Sequence, residues 1–281
     1  MYLKKPLWSE GIETEKQNPT GSSDPNASVV ELVNSLHQQR VYREVTLALT
    51  AGLPDARAEF SFLRLRALRS ILNFLNSIAD SDSTIYLFNL TQSIPQLQVV
   101  PVLFQHSLKE TSNDHNYNDE IALALRVLEG CCLLHPHSTT LAHQHNAVQV
   151  LLNILSTRGV LEQSACLDAL ISLMVDSSPN QMDFEKYNGI TQVANLIRDK
   201  QVDENLRLKC GEFLQLLIGH VNGRDSPPLA TIHEDTRRLL GETSASLIWA
   251  ASQFGSTLDP EQRLTALQIQ ARRILESLDL Y

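Results

Sequence analysis

The chain has 281 residues, 43% of them hydrophobic with leucine and isoleucine far ahead of the aromatics, which is ample for a core in one large domain or two small ones. A formal net charge of −9 argues against a general nucleic-acid binder, whose affinity rests on neutralising phosphates, and disfavours docking on an anionic membrane. No apolar run approaches a bilayer span, and MYLKKPLWSEG is too short and interrupted for a signal-peptide core.

Taken in order, residues 1–27 include NPTGSSDPNAS and read as a flexible tail. Ser28 is placed as the N-cap of a helix, SVVELVNSLHQQRVYREVTLALTAG, that closes at Gly52 and Pro54. A second helix, from about Glu59 to Ala79, sets Leu63, Ala67, Ile71, Phe74 and Leu75 at helical spacing. Shorter helices are expected near Thr84–Leu90 and Gln98–Lys109, and TSNDHNYND (Thr111–Asp119) is a polar loop.

From there the sequence repeats. A helix Asp119–Leu134, a His-Pro turn and NAVQVLLNILS (Asn146–Ser156) are followed by a helix Leu161–Val175, a turn over Asp176–Gln181 and NGITQVANLIR (Asn188–Arg198). Asn146 and Asn188 are 42 residues apart, as are Leu128 and Leu170, and Cys132 and Met174. A helix Glu204–His220 repeats the long position, with Phe213 43 residues after Leu170. A period near 42 with two or three helices per unit predicts an all-α fold of armadillo-like helical repeats, an α-solenoid, over residues 28–220; the alternative is one accidental duplication of a hairpin. Gly189 opens the second unit where its counterpart is Ala147, so smallness is expected to be the requirement there, with alanine tolerated and valine not. In residues 221–281 the loop HVNGRDSPPL precedes helices His233–Phe254 and one opening at Asp259-Pro260-Glu261, expected to pack on the end of the array.

Cysteine and histidine concentrate in GCCLLHPHSTTLAHQHNAVQVLL (Gly130–Leu152), which raises the question of a metal site. Cys131 and Cys132 are adjacent on a helix and point about 100° apart, and their repeat partners are Leu173 and Met174. They therefore read as core positions, with His135 suited to a helix C-terminus and Ser138 to capping the next helix. All four cysteines read as reduced thiols of a cytoplasmic protein. No metal-ligand spacing, phosphate loop or nucleophile elbow is present, so no metal, cofactor or catalytic residue is assigned. Acidic pairs such as Asp80/Asp82 and Asp203/Glu204 read as caps and dipole partners.

Arg57, Arg64, Arg66 and Arg69 form the one basic concentration along the sequence, with Arg66 and Arg69 on the stripe opposite the apolar face. Arg126, Asp168 and Glu212 occupy equivalent positions on the three long helices, charged among apolar neighbours. These five residues are the candidate partner-binding set, against the plainer reading of a solvated face.

The run from LEGCCLLHPHS (Leu128–Ser138) through QSACLDALISL (Gln163–Leu173) to NQMDFEKYNGITQVANLIRDKQVDENLRLKCGEFL (Asn180–Leu214) resembles the fungal cell division control protein 14 family, the septation initiation network (SIN) component unrelated to the phosphatase of similar name. The resemblance is carried by Leu133-Leu134-His135-Pro136 and Ser138, by Gln163-Ser164-Ala165, by Asp176, Pro179 and Asn180, by Phe184-Glu185 and Gly189, and by Arg207, Lys209 and Glu212-Phe213-Leu214. LRLRALRSILNFL upstream also matches, so the likeness covers about residues 60–218. Met182 and Asp183 depart from it where a basic residue is expected, as does IGHVNG after the last helix. What the resemblance implies is a non-catalytic partner of a sterile-twenty-like (germinal-centre-type) protein kinase in septation and cytokinesis signalling. It would act in the cytoplasm and, by the same resemblance, at the spindle pole body. A general armadillo-type adaptor and a metal- or thiol-dependent enzyme stay open beside it, and the sequence leaves the oligomeric state open.

Overall fold

Apolar residues recur every three to four positions through each long segment, and each such segment is a helix in the computed structural model, which describes residues 25–109, 118–221, 228–252 and 260–279. No strand occurs among the described residues. The protein is all-helical. The order is α1 (Pro25–Ala56), α2 (Ser61–Ile78), α3 (Asp82–Gln92), a 3-10 turn (Pro95–Leu97) and α4 (Val99–Val102), which runs into a π turn (Leu103–Ser107). Then come α5 (Asn118–Leu134), α6 (His137–Gln144), α7 (Ala147–Thr157), α8 (Val160–Met174), α9 (Ser178–Lys186), α10 (Gly189–Arg198) and α11 (Glu204–Val221). The last are α12 (Ile232–Leu240), α13 (Glu242–Ser252) and α14 (Pro260–Asp279).

The chain divides into two compact units, residues 1–40 and 41–281, and α1 contributes residues to both. In the first unit Pro25–Arg40 is helical, with Val29, Val30, Leu32, Val33 and Leu36 more than half exposed. In the second, Val45, Leu49, Leu53 and Ala56 bury one stripe of α1. There α2 packs on α5, α5 on α8, α8 on α11 and α11 on α14. The shorter α7 and α10 each pack on the long helix that follows them, α8 and α11 respectively. One continuous core results, with Leu125, Leu128, Leu151, Leu155, Leu170 and Leu214 all fully buried.

Several boundaries differ from the sequence reading. Pro25 opens α1, so Ser28 lies inside the helix rather than capping it. The same helix runs past Gly52 and Pro54 to Ala56; Gly52 serves close approach, because a Cβ there would stand 3.2 Å from Ile71 Cγ1. The turns read at His135-Pro136 and Asp176–Gln181 lead into the helices α6 and α9, so each unit of the repeat holds three helices. Ser138 does not cap α6; it is buried, and its Oγ lies 3.0 Å from His135 Nδ1. Gly241, at φ +85°, splits the expected helix His233–Phe254 into α12 and α13. The loop Thr111–Asp119 lies outside the described residues up to residue 117, as does the capping residue Asp259.

The repeat is visible in backbone conformation as well as in spacing. Asn146 and Asn188 both precede their helices in the left-handed region, at φ 53° and 54°. Asparagine tolerates that region better than most residues, so the turn's requirement falls on it. Gly189 is constrained differently: a Cβ added to it would collide with the Phe184 ring, so even alanine is not accommodated there, contrary to the expectation from the sequence.

Candidate functional site

Many of the residues that carry the family resemblance turn out to stitch helices together. Asn180 Nδ2 donates to Thr139 O, Leu173 O and Ser177 Oγ, joining α9 to α6 and α8. Gln163 Nε2 donates to Leu155 O, and Arg207 Nε to Ile197 O. Glu185 Oε2 accepts from the Leu229 backbone N–H. Asp203 Oδ1 accepts from the N–H groups of Asn205 and Leu206 and so caps α11, the cap expected of it. Arg64 differs from Arg66 and Arg69 of the same basic run: it is buried, its Nε 2.6 Å from Glu120 Oε1 and its Nη1 donating to Ala58 O and Glu59 O. Arg66 Nη2 pairs with Asp55 Oδ2 at 2.6 Å on the exposed side of α2, where Arg69 is exposed too.

The three charges on the long helices do come to one face. Arg126 on α5 is exposed, while Asp168 on α8 and Glu212 on α11 are half-buried. Two residues not assigned from the sequence link them. Lys209 Nζ pairs with Asp168 Oδ2 at 2.5 Å, and Glu129, half-buried on α5, feels Asp168, Lys209 and Arg126. Burial pushes the Glu129 carboxyl above its ordinary value, with Asp168 adding to the rise and Lys209 and Arg126 opposing it. Burial likewise raises Glu212, against Lys209 and with Asp168. One lysine thus sits among three carboxylates across three helices, with Arg126 beside the first. Arg66 and Arg69 are not among the charges acting on Glu129 or Glu212. Lys209 was legible in principle, since it stands 41 residues after Asp168 with opposite charge.

One or two helical turns on from Arg126, Asp168 and Glu212 in the sequence stand exposed aliphatic side chains at repeat spacing: Leu133, Val175 and Leu216, at 67%, 40% and 44% exposure. Further along, α8, α11 and α14 enclose an open groove of about 730 Å³ whose walls include Val160, Lys209, Glu212, Ile269, Arg272 and Glu276. The contribution of α14 was not readable from the repeat, because α14 lies outside it.

Reactive chemistry finds no support in the thiols. All four cysteines are buried. Burial pushes Cys132 and Cys210 up to about 12 and raises Cys131 and Cys166 as well, so none offers a thiolate near neutral pH. No cluster of three or more His, Cys, Asp or Glu side chains able to hold a metal ion occurs among the described residues. Nor is any helix among them long and apolar enough to cross a membrane.

What the fold and the site define is an all-helical protein with a repeated long helix and a face of mixed charge and exposed aliphatic groups. The family model for Cell division control protein 14, SIN component, matches residues 85–224, and the chain belongs to that family. It is 24% identical over 144 residues to Cell division control protein 14 of Schizosaccharomyces pombe, across 49% of this chain and 57% of that relative. The matched stretch therefore spans little more than half of the relative's length. The upstream LRLRALRSILNFL lies before the matched segment. Among solved structures, a crystal structure of an engineered protein is similar at 12% identity, with a TM-score of 0.43 over 82% of this chain and 96% of that one, a likeness too distant to support a reading of the fold. The family's name does not point to catalysis.

Proposed function

We propose that this protein is a non-catalytic binding subunit of a sterile-twenty-like (germinal-centre-type) protein kinase in septation initiation and cytokinesis. Its helices are read as an armadillo-like array, and its place of action as the cytoplasm and the spindle pole body. The observation that supports this best is the row Arg126, Glu129, Asp168, Lys209 and Glu212 across α5, α8 and α11. Carboxylates raised by burial lower stability while they stay charged, a feature expected of groups kept for a partner. Charged groups followed at helical spacing by exposed Leu133, Val175 and Leu216 match the anatomy of an interface, in which apolar contacts give affinity and charges choose the partner. Family membership supplies the signalling context, and the kinase is the partner that the sequence resemblance implies.

The test is affinity purification of the tagged full chain from its own cells, followed by mass spectrometry. A kinase of this class should be the most enriched partner. Enrichment of other proteins without any kinase would leave a general helical-repeat adaptor as the better reading.

A further inference from the structure

Positive charge gathers at one place where no single stretch of the sequence carries it. Arg198 ends α10, Lys200 follows it, Arg207 lies on α11 and Arg238 on α12. With Glu242 and the leucines Leu239, Leu240 and Leu278 they line an open cavity of about 550 Å³. The lining carries four cations and one carboxylate in a chain of net charge −9, one of the four, Arg238, being paired with Asp235 outside it. That one carboxylate is held from outside the lining by Arg237, whose Nε lies 2.8 Å from Glu242 Oε2. Arg207 is 8% exposed, and its guanidinium is fixed by the bond from Nε to Ile197 O at 2.8 Å. Arg238 is steadied by Asp235 at 2.6 Å. Gly241 leaves its part of the wall bare, since a Cβ there would meet nothing within 4 Å.

We propose that this cavity binds a phosphate monoester carried on a protein segment, a phosphoserine or phosphothreonine whose apolar flank rests on the leucines. Guanidinium groups present forked donors that match phosphate oxygens, and charge-assisted bonds of this kind are the strong ones. The space far exceeds what an inorganic phosphate needs, and its apolar wall calls for a ligand with an apolar part. No aromatic side chain lines it for stacking a nucleotide base, and the negative chain as a whole is a poor match for an anionic membrane. The proposal rests on other residues than the groove and stands independently of the kinase reading.

The experiment is a fluorescence anisotropy titration of the full chain against a degenerate phosphoserine peptide library and its unphosphorylated counterpart, with inorganic phosphate as competitor. The phosphorylated library should bind about tenfold more tightly or better, the gain expected of one or two charge-assisted bonds. Arg198→Glu with Lys200→Glu, at the rim of the cavity, should erase that preference at a nearly unchanged melting temperature. Asp168→Lys with Glu212→Lys should leave it intact. Equal binding of the two libraries would overturn the proposal, as would a preference that survives the Arg198/Lys200 double variant. If inorganic phosphate binds as tightly as the phosphopeptides, the cavity holds an adventitious ion only. Tighter binding of ATP or of phosphatidylserine vesicles would assign it to a different ligand.

Discussion

A methyl group added at Gly189 runs into the Phe184 ring, whereas the equivalent pair 42 residues earlier is Ala147 and Ala142, both fully buried. The two units fill the same space in different ways, one with a ring and no side chain, the other with two methyl groups. Gly189→Ala should therefore cost about 1–3 kcal/mol as overpacking, and Phe184→Ala about 3–5 kcal/mol as a cavity. Combined, they recreate the earlier unit and should cost clearly less than their sum, as measured by chemical denaturation. Strict additivity would show that the two positions do not share one space. The sequence made smallness at Gly189 legible but not its cause, which lies on α9, a helix read there as a turn. His135 is another residue whose setting decides its behaviour. Burial lowers its pKa below the ordinary 6.5, and His106 and His233 shift the same way, each chiefly by burial. The unfolded chain then binds protons first as pH falls below about 6.5, so stability is full above that value and declines beneath it. The raised Glu129 and Glu212 act oppositely, at pH values above the ordinary carboxylate value of 4.5. The melting temperature should fall between pH 7 and pH 5.5, and His135→Gln should flatten that fall; an unchanged slope would place the proton uptake elsewhere.

The long helices were readable because their apolar faces repeat over several turns, enough for the 3.6 period to show. The helices α6 and α9, of 8 and 9 residues, are too short for that, and their prolines mislead. Pro136 and Pro179 look like stop signals, yet Pro136 is the N-cap of α6 and Pro179 lies in the first turn of α9, where a missing N–H costs nothing. The setting of Arg64 was not legible for a related reason, since a basic residue in a basic run gives no hint of a partner 56 residues away. Its clamp joins α2 to α5: Arg64 Nε and Nη2 meet Glu120 Oε1 and Oε2 at 2.6 and 3.0 Å, and Ser61 Oγ donates to Glu120 Oε2 at 2.6 Å. Both side chains are almost wholly buried. Glu120→Ala leaves the guanidinium buried without this carboxylate and should cost about 3–5 kcal/mol in denaturant unfolding. A loss under about 1 kcal/mol, typical of an exposed pair, would mean that water reaches the site.

Across the whole molecule, the helices of the triplet α6–α7–α8 recur 41, 42 and 44 residues later as α9–α10–α11, and the long helices pack each on the next. This order was legible because the same core positions return at a fixed interval. What could not be read is anything assembled between repeats and non-repeats: the α14 wall of the groove and the basic cavity lined by residues of α10 to α14. The face carrying Arg126, Asp168 and Glu212 lies between these cases, foreseen as positions and completed by Lys209 and Glu129. If it is the partner surface, Asp168→Lys with Glu212→Lys places like charges against whatever their carboxylates meet, a cost of several kcal/mol to binding. As substitutions on half-exposed positions they should shift folding stability far less. The decisive measurement is the affinity of the purified kinase for the native chain and for this double variant, taken beside their melting temperatures. A loss of about a hundredfold or more at a nearly unchanged melting temperature is the expected result, whereas undiminished affinity would contradict the assignment of this face.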